Sequence, residues 1–255
     1  MNTRGFLLFA FSLLIAGTAG ATPYVVSDPY PGGGGDVIGD TSLFDIDKIK
    51  FLQMDPTQIE AEIDLNYDGG ALTLPEFTVG GRKLDIGDLL FKKNGQFLYG
   101  VPVKDHSSAP NGGAYGSGGQ LVTAGALYQI NAGGSITAWQ ALNGAPGDTG
   151  YRPMETVWLW KNNGSLTLLS NKPAGTDPVV ASLGGSEIKI DLRFIPGGNF
   201  YSDLMSGQLS VHFASAICAN DVIDGRIAIP EPGTWTMMLG AALLGLGLSR
   251  RRVRS

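Results

Sequence analysis

Few side chains in this sequence could carry a reaction. It has two histidines, His106 and His212, and one cysteine, Cys218, in 255 residues. A Ser-His-Asp hydrolase needs a histidine held by a carboxylate and facing an activated serine, and no Gly-x-Ser-x-Gly elbow occurs. His212 sits between Val211 and Phe213, which predicts the less buried face of a strand and a structural, hydrogen-bonded role. His106 is expected in a loop. Zinc wants clustered His and Cys ligands, and His212 with Cys218 is too few. Glycoside hydrolysis needs two convergent acids. Glu60 with Glu62, and Asp45 with Asp47, stand at i, i+2, which is the spacing of a solvated strand face. Calcium suits the composition better, because it takes oxygen ligands from Asp, Asn and carbonyls. Asn66 with Asp68 and Asp85 with Asp88 are two loops of that kind, and Asn220, Asp221 and Asp224 form the candidate calcium site. None has the EF-hand spacing.

Strands must position these residues. Ile59, Ala61, Ile63, Leu65 and Tyr67 alternate with Glu60, Glu62, Asp64 and Asn66, and period-two alternation turns the apolar set to a core and the acids to water. Ile188, Ile190, Leu192 and Phe194 repeat the pattern against Glu187, Lys189, Asp191 and Arg193. Further strands are expected at 44–54, 85–91, 96–103, 121–130, 155–160, 165–170 and 208–216, the last closing the series. Asn94-Gly95 is a strong hairpin signal, since both residues tolerate positive φ. A second hairpin is expected around Lys161–Gly164, a helical turn near 201–206, and a long glycine-rich loop from His106 to Gln120. Short strands at about ten-residue spacing, separated by glycine turns, indicate an all-β, antiparallel, jelly-roll-like β-sandwich. With a single cysteine no intrachain disulfide forms, so burial alone must hold the fold.

The two ends carry addresses. Met1 to Ala21 has one basic residue (Arg4), an apolar run over 6–16 and a small-residue close at Ala19-Gly20-Ala21, which is a signal-peptide pattern with cleavage before Thr22. At the other end Pro230-Glu231-Pro232 is followed by 17 uncharged residues, Gly233–Ser249, then by Arg250, Arg251, Arg252 and Arg254. As a helix that run covers about 25 Å, at the short end of what spans a bilayer core of about 30 Å. Trp235 suits one interface and the arginines hold the cytoplasmic side. The prolines stop the helix and leave the tripeptide extended beside the membrane.

This order of tripeptide, short span and arginine tail resembles the PEP-CTERM sorting signal of Gram-negative bacteria. The resemblance implies a membrane protease-transpeptidase, exosortase, that reads Pro230, Glu231 and Pro232, removes the tail and passes the protein to the cell surface or extracellular matrix. Those residues would be substrate and not catalyst. Leu209 to Gly225 is also similar to segments that precede the tripeptide in such proteins, through His212, Cys218, Asn220, Asp221, Ile223 and Gly225.

The expected organisation is a signal peptide (1–21), a flexible Gly/Pro-rich lead-in (22–40), the β-domain (41–228) and the sorting signal (229–255). Without its ends the body keeps 13 basic and 22 acidic residues, a net charge of about −9, which opposes nucleic acid and anionic lipid. The expected role is structural or adhesive and not enzymatic, in an exopolysaccharide or biofilm setting. Tyr115, Trp139 and Tyr151 are the candidate contacts to extracellular polysaccharide. The alternative is a secreted polysaccharide-acting enzyme or a carbohydrate-binding module.

Overall fold

The alternating segments become two antiparallel sheets. The computed structural model describes residues 23–28, 45–55, 57–66, 76–79, 82–107, 110–111, 114–115, 121–137, 155–161, 164–177, 179–183, 187–215 and 221–227. Five strands form one sheet in the order Tyr24–Ser27, Asp45–Asp55, Gln58–Asn66, Glu187–Phe194, Val179–Leu183. Six form the other: Leu166–Ser170, Leu127–Ile130, Gln96–Val101, Leu89–Lys93, Leu209–Ser215, Asp221–Arg226. The one helix among the described residues, Phe200–Met205, has six residues. No described helix is long and apolar enough to cross a membrane; the predicted span 233–249 lies outside the described residues, as do the predicted signal peptide and Cys218.

The apolar sets face one another across a shared core. Ile59, Ala61, Ile63 and Leu65 from one strand, and Ile190, Leu192 and Phe194 from its neighbour, are buried against Leu89, Phe91, Val211 and Phe213 of the six-stranded sheet. Phe91 is the hub. Its ring centroid lies 6.2 Å from Phe51, 6.1 Å from Phe194 and 4.9 Å, edge-on, from Phe200. Burying a side chain of this size contributes about 1.5–3 kcal/mol. Ile46 and Ile49 both reach the core despite their odd spacing, because a bulge between Ile46 and Lys48 resets the alternation.

Several sequence expectations are corrected. The Asn94-Gly95 hairpin forms, with φ of 53° and 78°, but the one around Lys161–Gly164 does not. Thr156–Leu159 pairs instead with Ser135–Thr137, and Leu166–Ser170 pairs with Leu127–Ile130. All four residues of Thr156–Leu159 are buried, so this strand is covered on both faces and cannot be half of an open hairpin. The stretch 121–130 is two strands, broken by a turn with Gly125 at φ 73°. Leu209–Ser215 is followed by a further strand, Asp221–Arg226. Tyr24–Ser27, inside the expected lead-in, pairs with Asp45–Asp55 and buries Val26.

The six-stranded sheet is covered on its outer face as well. Leu90, Val122, Ala126, Tyr128, Ile130, Leu159 and Leu166 form a second apolar cluster, with Phe97 packed against it. The central strand Leu89–Lys93 therefore buries both faces, Leu89 and Phe91 inward and Leu90 outward. Gly100 permits the overlay, because a Cβ there would stand 2.6 Å from Leu159 Cδ2 and 2.9 Å from Leu90 Cδ2.

Candidate functional site

Three aspartates distant in sequence meet where the first strand approaches the last. Asp28 follows Tyr24–Ser27, Asp45 opens Asp45–Asp55, and Asp221 opens Asp221–Arg226. They are 3%, 0% and 1% exposed, and one carboxylate oxygen from each lies within 4.8 Å of the others. Asp221 is fixed by backbone donors: Ile46 N–H donates to its Oδ2 at 2.6 Å and Val222 N–H to its Oδ1 at 2.7 Å. Its own N–H donates to Ser215 Oγ at 3.0 Å. An all-oxygen, all-anionic set suits a hard divalent cation such as calcium and not zinc. The structure separates Asp221 from Asp224, because residues three apart on an extended strand point to opposite faces. Asn220 lies outside the described residues.

Asp224 belongs to a second cluster on the outer face of the six-stranded sheet. His212 is fully buried there and not on an open face. Its Nδ1 is 2.9 Å from Asp224 Oδ2, and its Nε2 donates to the Thr156 carbonyl at 2.7 Å. Lys92 Nζ donates to both oxygens of Asp224 at 2.9 Å. Burial pushes the Asp224 carboxyl up, but the hydrogen bonds and charges of His212 and Lys92 outweigh it and hold it below the usual range. Phe97 stands edge-on to the imidazole at 5.1 Å.

A catalytic histidine would keep one nitrogen for a nucleophile, and here a backbone carbonyl occupies it. Glu155, 4.0 Å from Nε2, completes a possible three-ligand metal set with His212 and Asp224. An ion there would have to displace the Thr156 bond or compete with Lys92.

His106 repeats the arrangement. It opens a two-residue strand, His106–Ser107, paired with Leu121–Val122, within the expected long loop. Its Nε2 is 2.9 Å from Asp88 Oδ2, and both residues are buried. Asp88 also accepts from Leu159 N–H at 2.8 Å and Val103 N–H at 3.3 Å, while its own N–H donates to the Val157 carbonyl at 2.9 Å. The two His–Asp pairs thus grip both ends of the covering strand Thr156–Leu159, and Trp158 Nε1–H adds a bond to the Ile86 carbonyl at 2.8 Å.

The paired acids Glu60 and Glu62 do form an outward face, but they are answered by bases. Arg193 Nε lies 2.7 Å from Glu60, and both Lys50 and Lys189 reach Glu62. Burial alone would raise the Glu62 carboxyl, but the Lys50 and Lys189 hydrogen bonds draw it down to about 2. A catalytic general acid requires the opposite shift. Asp191 moves up, through burial and then the charges of Glu60 and Glu62. Asp64 was expected in water and is 1% exposed, because Lys48 and Lys50 close over it at 3.2 and 3.1 Å. Asp45 and Asp47 part company at the bulge, with Asp45 joining the carboxylate cluster.

Of the aromatic candidates, Tyr115 lies on the short strand Ala114–Tyr115, paired with Pro110–Asn111. Trp139 and Tyr151 lie outside the described residues. So do Pro230, Glu231, Pro232, Trp235 and Arg250–Arg252. Sequence reasoning did not foresee the grouping of Asp28, Asp45 and Asp221, or the Asp88–His106 pair. No spacing signals either one, because strand pairing alone makes them neighbours.

An all-β, two-sheet body with buried polar anchors precedes the C-terminal segment. Residues 228–252 match the model of the PEP-CTERM protein-sorting motif. The chain therefore carries a PEP-CTERM sorting motif, a signal that implies export and membrane-associated, exosortase-dependent sorting. No curated protein and no solved structure matches it.

Proposed function

We propose that the β-domain is a structural or adhesive component of the cell surface or exopolysaccharide matrix of a Gram-negative bacterium, delivered there by exosortase, and that it performs no catalysis. The sorting motif at 228–252 carries this reading. In the same reading a signal peptide is removed before Thr22, the two sheets form a sandwich of jelly-roll type, and the segment 233–249 crosses the inner membrane until processing. The acidic body favours solubility in that setting. The burial of His212 and the backbone bond on its Nε2 favour a structural over an enzymatic domain. Mass spectrometry of the surface-exposed protein tests the sorting step: the mature C-terminus should lack the arginine tail. Replacing Pro230, Glu231 and Pro232 together by alanine should leave full-length chain in the inner membrane. Normal arrival of that triple variant at the surface would overturn the proposal.

A further inference from the structure

The domain is folded almost up to the processing tripeptide. Ile227 is fully buried and its N–H donates to the Leu209 carbonyl at 2.9 Å. Only Ala228 and Ile229 separate it from Pro230. The residues just before are held from two sides. Arg226 is in register with Ser210, its Nε donates to the Gly207 carbonyl at 3.0 Å, and its carbonyl accepts from Tyr24 Oη at 2.8 Å. Val26 lies over Gly225 so closely that a Cβ there would stand 2.1 Å from Val26 Cγ1. The first strand thus clamps the end of the last one.

We infer that the Gly225–Ile227 end of this strand gates processing. An extended peptide is bound by its main-chain groups, which the partner must reach. Here the Arg226 carbonyl and the Ile227 N–H are already committed to Tyr24 and Leu209. A protease that engages even four residues upstream of Pro230 must draw on Arg226 and Ile227, so it acts on the frayed fraction of the strand end. Its apparent affinity falls by that fraction, and the rate follows the opening equilibrium when opening is fast. The inference rests on exosortase acting at Pro230–Pro232, and adds that the folded domain sets how fast it does so.

The test is a pulse-chase of the full-length chain in bacterial cells that carry an exosortase, following loss of the C-terminal tail. Tyr24→Phe removes one hydrogen bond from the clamp and should speed processing about 2- to 10-fold. Inserting eight Gly/Ser residues between Ile229 and Pro230 supplies free upstream chain. That variant should be processed faster than the native chain and should no longer respond to Tyr24→Phe. An insertion that leaves the rate unchanged or slower overturns the gate while leaving sorting intact. Tails that stay intact in every variant, indistinguishable from a Glu231→Ala control, overturn the sorting reading and the gate with it.

Discussion

The outer faces of the two sheets have opposite fates. That of the five-stranded sheet carries an acid–base ladder, with Glu60 against Arg193 and with Glu62 and Asp64 against Lys48, Lys50 and Lys189. That of the six-stranded sheet lies under a second apolar cluster and the strand Thr156–Leu159. The difference shows how polar groups survive in each place. On the open ladder, a rim pair such as Glu60–Arg193 sits at the water and contributes little, while the buried Asp64 is covered by the lysines that pair with it. Beneath the cover, Asp88 and His212 are out of water, and each polar atom must find a partner inside the protein. The histidines and aspartates there resemble catalytic pairs in composition, yet their hydrogen bonds are spent on holding the cover down.

The sharpest test of this contrast is Asp88→Ala. It strands the Leu159 and Val103 N–H groups and removes the carboxylate that His106 Nε2 contacts, and should cost about 3–5 kcal/mol in urea unfolding. A loss under 1 kcal/mol would mean the cover is not held by these bonds. Gly100→Ala should cost about 1–3 kcal/mol by pressing Leu159 and Leu90 aside, and loss of near-ultraviolet Trp158 signal ahead of global unfolding would localise the damage. On the open face, Arg193→Gln should cost no more than about 1 kcal/mol, and less at high salt. A larger loss, unaffected by salt, would erase the distinction between the faces.

The smallest effect concerns pH. Glu62 is held down at about 2 in the folded protein, below the ordinary glutamate value near 4.3. Its stabilising contribution is therefore complete above that ordinary value and fades as pH falls towards about 2. Glu62→Gln should flatten the stability profile over that window. An unchanged acid limb would show that Glu62 is not held as the geometry indicates.

Much of the two-sheet body was legible from period. The strands Gln58–Asn66 and Glu187–Phe194 and the Asn94-Gly95 hairpin follow from local rules, because alternation and φ preferences act within a few residues. The sorting segment was legible for the same reason: it is a contiguous peptide read by its order. The pairing of Thr156–Leu159 was not, since a short apolar strand gives no indication of which partner will cover it.

The sequence by itself determined the β-class, the inward apolar faces and the C-terminal address, all of which depend on neighbours along the chain. Only the tertiary structure decided that Asp28, Asp45 and Asp221 share a buried site and that Asp224 pairs with His212. It alone placed Tyr24 over Arg226. Those contacts join residues up to 202 positions apart, and strand order, which nothing in local spacing encodes, is what brings them together.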